Sequence, residues 1–146
     1  MPEREFTFRV VSPLGTVFHG PARSVTLTTM HGEITVLAGH MPMVSVLVDG
    51  EILIRTGERD VWIAVAGGFL ETGGRAESEV TVLSDFAAES DSIEVARVEA
   101  AKARAEQLLA EKKERGELLL VERDLQRAIL QLKVAQRIRT RRREQP

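Results

Sequence analysis

Apolar and polar residues alternate with a period of two through the first 86 residues of the chain. Successive side chains of a strand point to opposite faces of a sheet, so each alternating run predicts a β-strand with one buried face. The runs are Phe6/Phe8/Val10, Val25/Leu27, Ile34/Val36, Val44/Val46/Val48, Ile52/Ile54, Val61/Ile63/Val65 and Val80/Val82. Turn residues separate them, among them Gly20-Pro21, Asp49-Gly50 and Gly67-Gly68. Short strands at this spacing predict an antiparallel β-sandwich over residues 1–86.

The apolar period becomes helical over residues 87–146. Ser92 is suited to cap a first helix that starts near Ile93, and Gly116 is suited to end it. The second helix carries a heptad stripe of Leu118, Val121, Leu125, Ala128, Leu132 and Ala135, and the first offers Ala101, Ala105 and Leu108. This pattern predicts an antiparallel two-helix hairpin, so the fold class is α+β. Because four of the nine residues in the facing stripes are alanine, the hairpin buries little apolar area and is marginal alone.

Composition excludes several classes of protein. The chain has no cysteine, which removes disulfides, thiolate catalysis and thiolate metal sites. No apolar run is long enough to span a bilayer. The N-terminal stretch MPEREFTFRVV carries acids and no apolar segment, so we expect no signal peptide. Contact with a membrane is therefore expected only through partner proteins.

Charge is distributed unevenly between the two segments. Residues 1–86 hold six basic and eleven acidic side chains, whereas residues 87–146 hold fourteen basic and eleven acidic ones. Residues 127–143 contain seven basic groups and no acid. Such a block favours an acidic surface or a polyanion as its partner.

The sequence contains few of the residue patterns that are typical of catalytic sites. His40 lies in a Gly/Pro turn, but no nucleophile motif accompanies it. The other histidines, His19 and His31, lack metal-ligand spacing with His40. No phosphate loop of the Gly-x-x-x-x-Gly-Lys type is present. We therefore expect no catalytic residue, no metal site and no enzyme activity, and assign His40 to structure or partner contact.

Three segments of the chain carry a resemblance to a known family. The first is GEITVLAGHMPMVSVL, which is similar to the family's Gly-His-x-Pro signature. The second is VAGGFLE followed by VTVLSDFA, and the third is LQRAILQLKVAQRIR in the second helix. Together the segments resemble the ε subunit of bacterial F-type ATP synthases, and the similarity runs nearly end to end. The fold of that family is likewise a β-sandwich followed by a helical hairpin.

The resemblance implies a non-catalytic rotor subunit of the central stalk. Such a subunit couples ion-driven rotation of the c ring, by proton or sodium transport, to ATP synthesis in the catalytic head. Its hairpin restrains ATP hydrolysis. The implied partners are the γ subunit, the c ring and, when the hairpin extends, the α/β head, with no nucleic acid. The implied location is peripheral, on the cytoplasmic face of the bacterial plasma membrane.

The resemblance also implies three sets of site residues. Contacts to the c ring and γ fall on Glu33, Gly39, His40 and Pro42. No cofactor is implied apart from a weakly bound regulatory ATP. Its site would use Ile93, Glu94, Arg97, Arg104 and Arg127. A basic face toward the catalytic β subunit would use Arg123, Arg127, Lys133, Arg137 and Arg141.

Each assignment has a plainer alternative. Glu33 can be the outward residue of an alternating strand, and the arginines can be a solvated helix face or helix end. For the whole protein, the alternative is a nucleic-acid-binding β-barrel module with a basic helix. The acidic first segment and the scarcity of aromatic residues weigh against that alternative.

Overall fold

The computed structural model describes residues 4–74, 78–90, 95–111 and 115–144, which form ten strands and two helices. The strands are β1 Phe6–Ser12, β2 Gly15–Ala22, β3 Ser24–Thr29, β4 Gly32–Leu37, β5 Met43–Leu47, β6 Gly50–Arg55, β7 Asp60–Val65, β8 Gly68–Thr72, β9 Glu79–Leu83 and β10 Ala87–Glu89. The helices are α1 Val95–Ala110 and α2 Arg115–Glu144. The chain divides into two compact units, Met1–Glu89 and Ser90–Pro146.

The strands form one continuous sheet folded into two layers. One layer has the order β10-β7-β6-β3-β4 and the other the order β5-β8-β9-β1-β2. The layers join where β3 meets β5, at the pair Thr29 and Leu47. One detail of the predicted topology is wrong, because β1 pairs with β9 in parallel. About seventy residues separate these two strands along the chain, which is ample for the crossover that a parallel pair needs.

The core lies between the two layers and confirms the alternating pattern for most strands. Phe8, Ile54 and Ile63 are fully buried there. β7 departs from alternation, since Trp62 and Ala64 on its other face are buried as well. A strand covered on both faces has a nearly continuous apolar sequence, as this one does.

Three strand boundaries differ from the prediction. Gly20-Pro21, predicted as a turn, lies inside β2. β2 is at the edge of the sheet, where a proline without an N–H is tolerated. Gly68 begins β8 rather than ending a turn. Residues 87–89, assigned to the helical segment, form β10 and pair with β7.

The two helices pack against each other as an antiparallel hairpin, as predicted. In α2 the predicted stripe is buried at Ala128, Leu132 and Ala135. In α1 the prediction is partly wrong, because Ala101 is exposed. The covered positions of α1 are Val98, Lys102, Ala105, Leu108 and Leu109.

Gly116 does not end the first helix. α1 stops at Ala110, and Gly116 is the second residue of α2. Glycine is tolerated there because the first-turn N–H groups of a helix have no internal partner to lose. The predicted cap Ser92 and helix start Ile93 lie outside the described residues.

Candidate partner-contact site

The Gly39–Pro42 loop connects β4 to β5 and therefore crosses from one layer of the sandwich to the other. Its backbone turns at Gly39, where φ is +78°, a left-handed value that favours glycine. The His40 N–H donates to the Leu37 carbonyl oxygen at 3.2 Å. The His40 ring is half-buried, and its Nδ1 lies 2.9 Å from the Met41 carbonyl oxygen.

The end of β8 holds this loop in place. The buried Thr72 hydroxyl donates to the Met41 carbonyl oxygen at 2.7 Å and accepts from the Met43 N–H at 3.0 Å. Pro42 packs so closely on Gly73 that a Cβ on that glycine would lie 2.9 Å from the proline Cγ. The predicted residues Gly39, His40 and Pro42 are thus brought together on one braced loop.

Glu33 is not part of this cluster. It is the second residue of β4 and pairs with Thr28, whereas the loop follows the far end of that strand. The four residue steps along the strand from Glu33 to Leu37 span about 13 Å. Glu33 instead lies beside the Met30–His31 turn, and its exposed position also fits the plainer alternative of an outward strand residue. The predicted contact residues therefore occupy two opposite ends of the sandwich.

An exposed apolar row crosses the outer face of the second layer. Val46 of β5 pairs with Phe69 of β8, which pairs with Leu83 of β9, which pairs with Val11 of β1. Phe69 is 55% exposed and Leu83 51%. We name Val46, Phe69, Leu83 and Val11 the apolar row. An exposed contiguous apolar surface marks an interaction site more often than a scattered apolar residue does.

Sequence reasoning missed this row. Val44, Val46 and Val48 alternate as core strands do, but they are 71%, 42% and 40% exposed. The buried side of β5 is marked by Leu47 instead. One signal was present in the sequence of β5. It has apolar residues on both faces, whereas a strand that borders a single core needs them on one face only.

A depression of about 380 Å³ adjoins the apolar row. It is lined by Arg9, Glu71, Gly74, Glu79, Thr81 and Leu83. The Arg9 guanidinium lies 3.6 Å from the Glu79 carboxylate, so among the lining residues that the structure describes Glu71 adds a further negative charge. Leu83 belongs to both features, so a partner on the apolar row would also cover the depression.

The residues of the predicted ATP site are only partly described. Ile93 and Glu94 lie outside the described residues. Arg97 and Arg104 are exposed on α1, and Arg127 is half-buried on α2. Along the hairpin, Arg97 and Arg127 lie at about the same distance from the connection between the two helices. Arg104 lies about 10 Å nearer that connection. Convergence of three guanidinium groups on a phosphate chain is compatible with this spacing.

The predicted basic face lies mainly opposite the hydrophobic stripe of α2. At about 100° per residue, its five residues fall within about a third of the helix circumference. Arg123, Lys133 and Arg137 are exposed, and the Arg141 side chain lies outside the described part. Val134, only 1% exposed, lies on the same side, so this face is covered at that point.

Within the described residues, no group of three histidine, cysteine, aspartate or glutamate side chains is arranged to hold a metal ion. In the same part of the chain, neither helix is both long and apolar enough to cross a membrane. The described geometry is that of a braced loop and an apolar face, which suits binding of another protein.

Two family models match the chain. One describes the β-sandwich domain of the ATP synthase delta/epsilon chain and matches residues 5–90; the other describes the long α-helix domain of that chain and matches residues 91–136. The chain belongs to the ATP synthase delta/epsilon chain family.

Curated relatives agree with this family assignment. The ATP synthase epsilon chain of Ruminococcus albus is 37% identical over 130 residues, covering 89% of this chain and 96% of the relative. The epsilon chain of Endomicrobium trichonymphae is 34% identical over 129 residues, covering 88% and 91%. The resemblance noted in the sequence is thereby confirmed.

Solved structures support the fold. A chain of the Euglena gracilis mitochondrial ATP synthase, in a complex of OSCP, F1 and c-ring, superposes with a TM-score of 0.60 at 17% identity. That match covers 96% of this chain and 82% of the other. A chain of the Tetrahymena thermophila mitochondrial ATP synthase central stalk and c-ring superposes with a TM-score of 0.50 at 12% identity. The sandwich and hairpin therefore form the fold of this family.

Proposed function

We propose that this chain is a non-catalytic rotor subunit of an F-type ATP synthase central stalk. In this role it couples ion-driven rotation of the c ring to ATP synthesis in the catalytic head, from a peripheral position on the cytoplasmic side of the membrane. Family membership supports the assignment, and the exposed apolar row is the structural observation that carries it. A rotor subunit must hold its partner through many turns, and an apolar face provides contact that salt does not screen.

We assign the apolar row and the Gly39–Pro42 loop to the γ subunit. The loop runs directly into β5, and Thr72 of β8 braces it, so the loop adjoins two of the four strands that carry the row. Glu33, at the other end of β4, is then available to the c ring. This assignment divides the predicted contact residues between two partners, because Glu33 and the Gly39–Pro42 loop lie at opposite ends of β4.

The helical hairpin is assigned to regulation. Alanine makes up four of the nine predicted stripe residues, and the basic residues of the hairpin suit the acidic surface of a catalytic head. Docking of that kind restrains ATP hydrolysis when the hairpin extends. Regulatory ATP, bound weakly by Arg97, Arg104 and Arg127, would favour the retracted hairpin.

Replacing Phe69 with glutamate tests the γ assignment. Phe69 is more than half exposed, so Phe69→Glu should fold normally while placing a charge within the apolar row. We expect binding to the purified cognate γ subunit to weaken at least about tenfold in calorimetry.

The matched control is Leu14→Glu. Leu14 is 99% exposed on the β1–β2 turn, outside the row, and this change should leave γ binding within about twofold. Equal binding by Phe69→Glu and the unaltered chain would remove the apolar row from the γ interface. A chain that fails to bind γ at all would contradict the stalk assignment itself.

A further inference from the structure

Thr72 is placed to control the Gly39–Pro42 loop. Its side chain is 2% exposed at the end of β8, beneath the peptide bonds on either side of Pro42. The hydroxyl donates its one hydrogen to the Met41 carbonyl oxygen and accepts the Met43 N–H. One side chain therefore fixes the backbone both before and after the proline, which itself has no N–H to offer.

The same contacts determine the proton position on His40. Its Nδ1 lies 2.9 Å from the Met41 carbonyl oxygen and 3.5 Å from the Thr72 hydroxyl oxygen. The Thr72 hydrogen already points to Met41, so both neighbours of Nδ1 are acceptors. Nδ1 must then carry the hydrogen, because a neutral imidazole has one N–H and one lone pair. The lone pair is left on Nε2.

We infer that Thr72 is a positioning residue that sets the Gly39–Pro42 loop and the His40 tautomer, so that Nε2 of His40 is presented to the partner as a hydrogen-bond acceptor. The γ surface that meets this loop should therefore supply a donor, such as a backbone N–H, hydroxyl, amide or guanidinium group. The identity of the partner rests on the proposed function, whereas the tautomer belongs to the free chain.

A second buried threonine provides a matched control. Thr29 is 4% exposed, and its hydroxyl donates to the Gly32 carbonyl oxygen at 2.9 Å and accepts the His31 N–H at 3.1 Å. It braces the Met30–His31 turn at the opposite end of the sandwich. Thr29→Val and Thr72→Val each remove a buried hydroxyl that donates one hydrogen bond and accepts another. The two variants should therefore lose similar amounts of free energy of unfolding.

Imidazole ¹⁵N chemical shifts of the free chain at alkaline pH test the tautomer, with His40→Gln assigning the signal. We expect an Nδ1–H ring in the unaltered chain, in Thr72→Ser and in Thr29→Val. Thr72→Val removes the hydroxyl that holds the Met41 carbonyl beside Nδ1, so in this variant the population should shift toward Nε2–H, the form that neutral histidine prefers in water. An Nε2–H ring in the unaltered chain, or no shift in Thr72→Val, would overturn the inference whether or not γ binds.

Affinity for the purified cognate γ subunit provides the second measurement. Thr72→Val should weaken binding by about tenfold, and Thr72→Ser should restore it to within about twofold. Thr29→Val should bind like the unaltered chain. If Thr29→Val and Thr72→Val weaken binding equally, Thr72 acts only through stability. If no form binds γ, the proposed function fails while the tautomer measurement still decides the positioning role.

Discussion

At the scale of single residues, the tightest constraint in the sandwich is the absence of a side chain at Gly68. Its φ is +123°, and a Cβ there would overlap the Leu83 carbonyl oxygen. The Ser84 hydroxyl oxygen next to it lies 2.7 and 2.8 Å from the Phe86 and Gly67 carbonyl oxygens, either of which can accept its one hydrogen. The close approach of Gly68 to Leu83 therefore fixes where β8 begins and β9 ends, beside the apolar row.

Gly68→Ala should therefore be strongly destabilising. Both the left-handed backbone and the clash with Leu83 oppose a Cβ, so we expect a loss of about 2–4 kcal/mol in the free energy of unfolding. Urea denaturation measures this loss. Gly50→Ala is the control, because an added Cβ at Gly50 meets nothing closer than the Val48 carbonyl oxygen at 4.0 Å. Equal stability of the two variants would contradict the strain at Gly68.

At the scale of elements, the helical hairpin depends on a few covered positions. Leu132, 8% exposed, is the largest side chain among the buried positions of the α2 stripe, and its buried neighbours in that stripe are Ala128 and Ala135. Leu119 in the same helix is 62% exposed. Substituting Leu132, with Leu119 as the exposed control, tests the stability of the hairpin separately from that of the sandwich.

Leu132→Ala should remove about 2–4 kcal/mol of packing from the hairpin. Amide hydrogen exchange should then show lost protection in α2 and unchanged protection in β7. Leu119→Ala should leave both elements as they are, since an exposed leucine contributes little packing. Loss of protection in β7 upon Leu132→Ala would mean that the hairpin and the sandwich do not unfold separately.

At the scale of the whole molecule, the chain divides into two compact units, to which the proposed function assigns attachment and restraint respectively. β10 pairs with β7 through residues 87–89, so these residues belong to the sandwich. A truncation after residue 86 would remove β10 and expose the edge of β7. Truncation after Glu89 instead divides the chain at the boundary between the units.

A chain truncated after Glu89 should bind a cognate γ-containing catalytic head as the full chain does, but should not inhibit its ATP hydrolysis. Inhibition by the full chain should weaken as salt rises, because the basic side chains of α2 are screened, whereas binding through the apolar row should persist. Hydrolysis rates and co-sedimentation at two salt concentrations measure both properties. Inhibition by the truncated chain would remove the hairpin from the regulatory role.

The sequence by itself determined that the chain has a β-sandwich followed by a helical hairpin. The period of two and the heptad stripe each follow from local geometry, and residues such as Phe8, Ile54 and Leu132 are buried as their spacing predicts. The motif that carries the family resemblance is also local. These features needed no knowledge of which elements meet.

Only the tertiary structure decided which apolar faces are left open and which site residues meet. Alternation gives a strand two faces, but the stacking of the layers buries Leu47 and exposes Val44 and Val46. Glu33 and His40 are close in sequence, yet the extended strand between them carries them to opposite ends of the sandwich. Thr72 meets Met41 of the Gly39–Pro42 loop from 31 residues away because β5 pairs with β8, and sequence spacing does not encode that pairing.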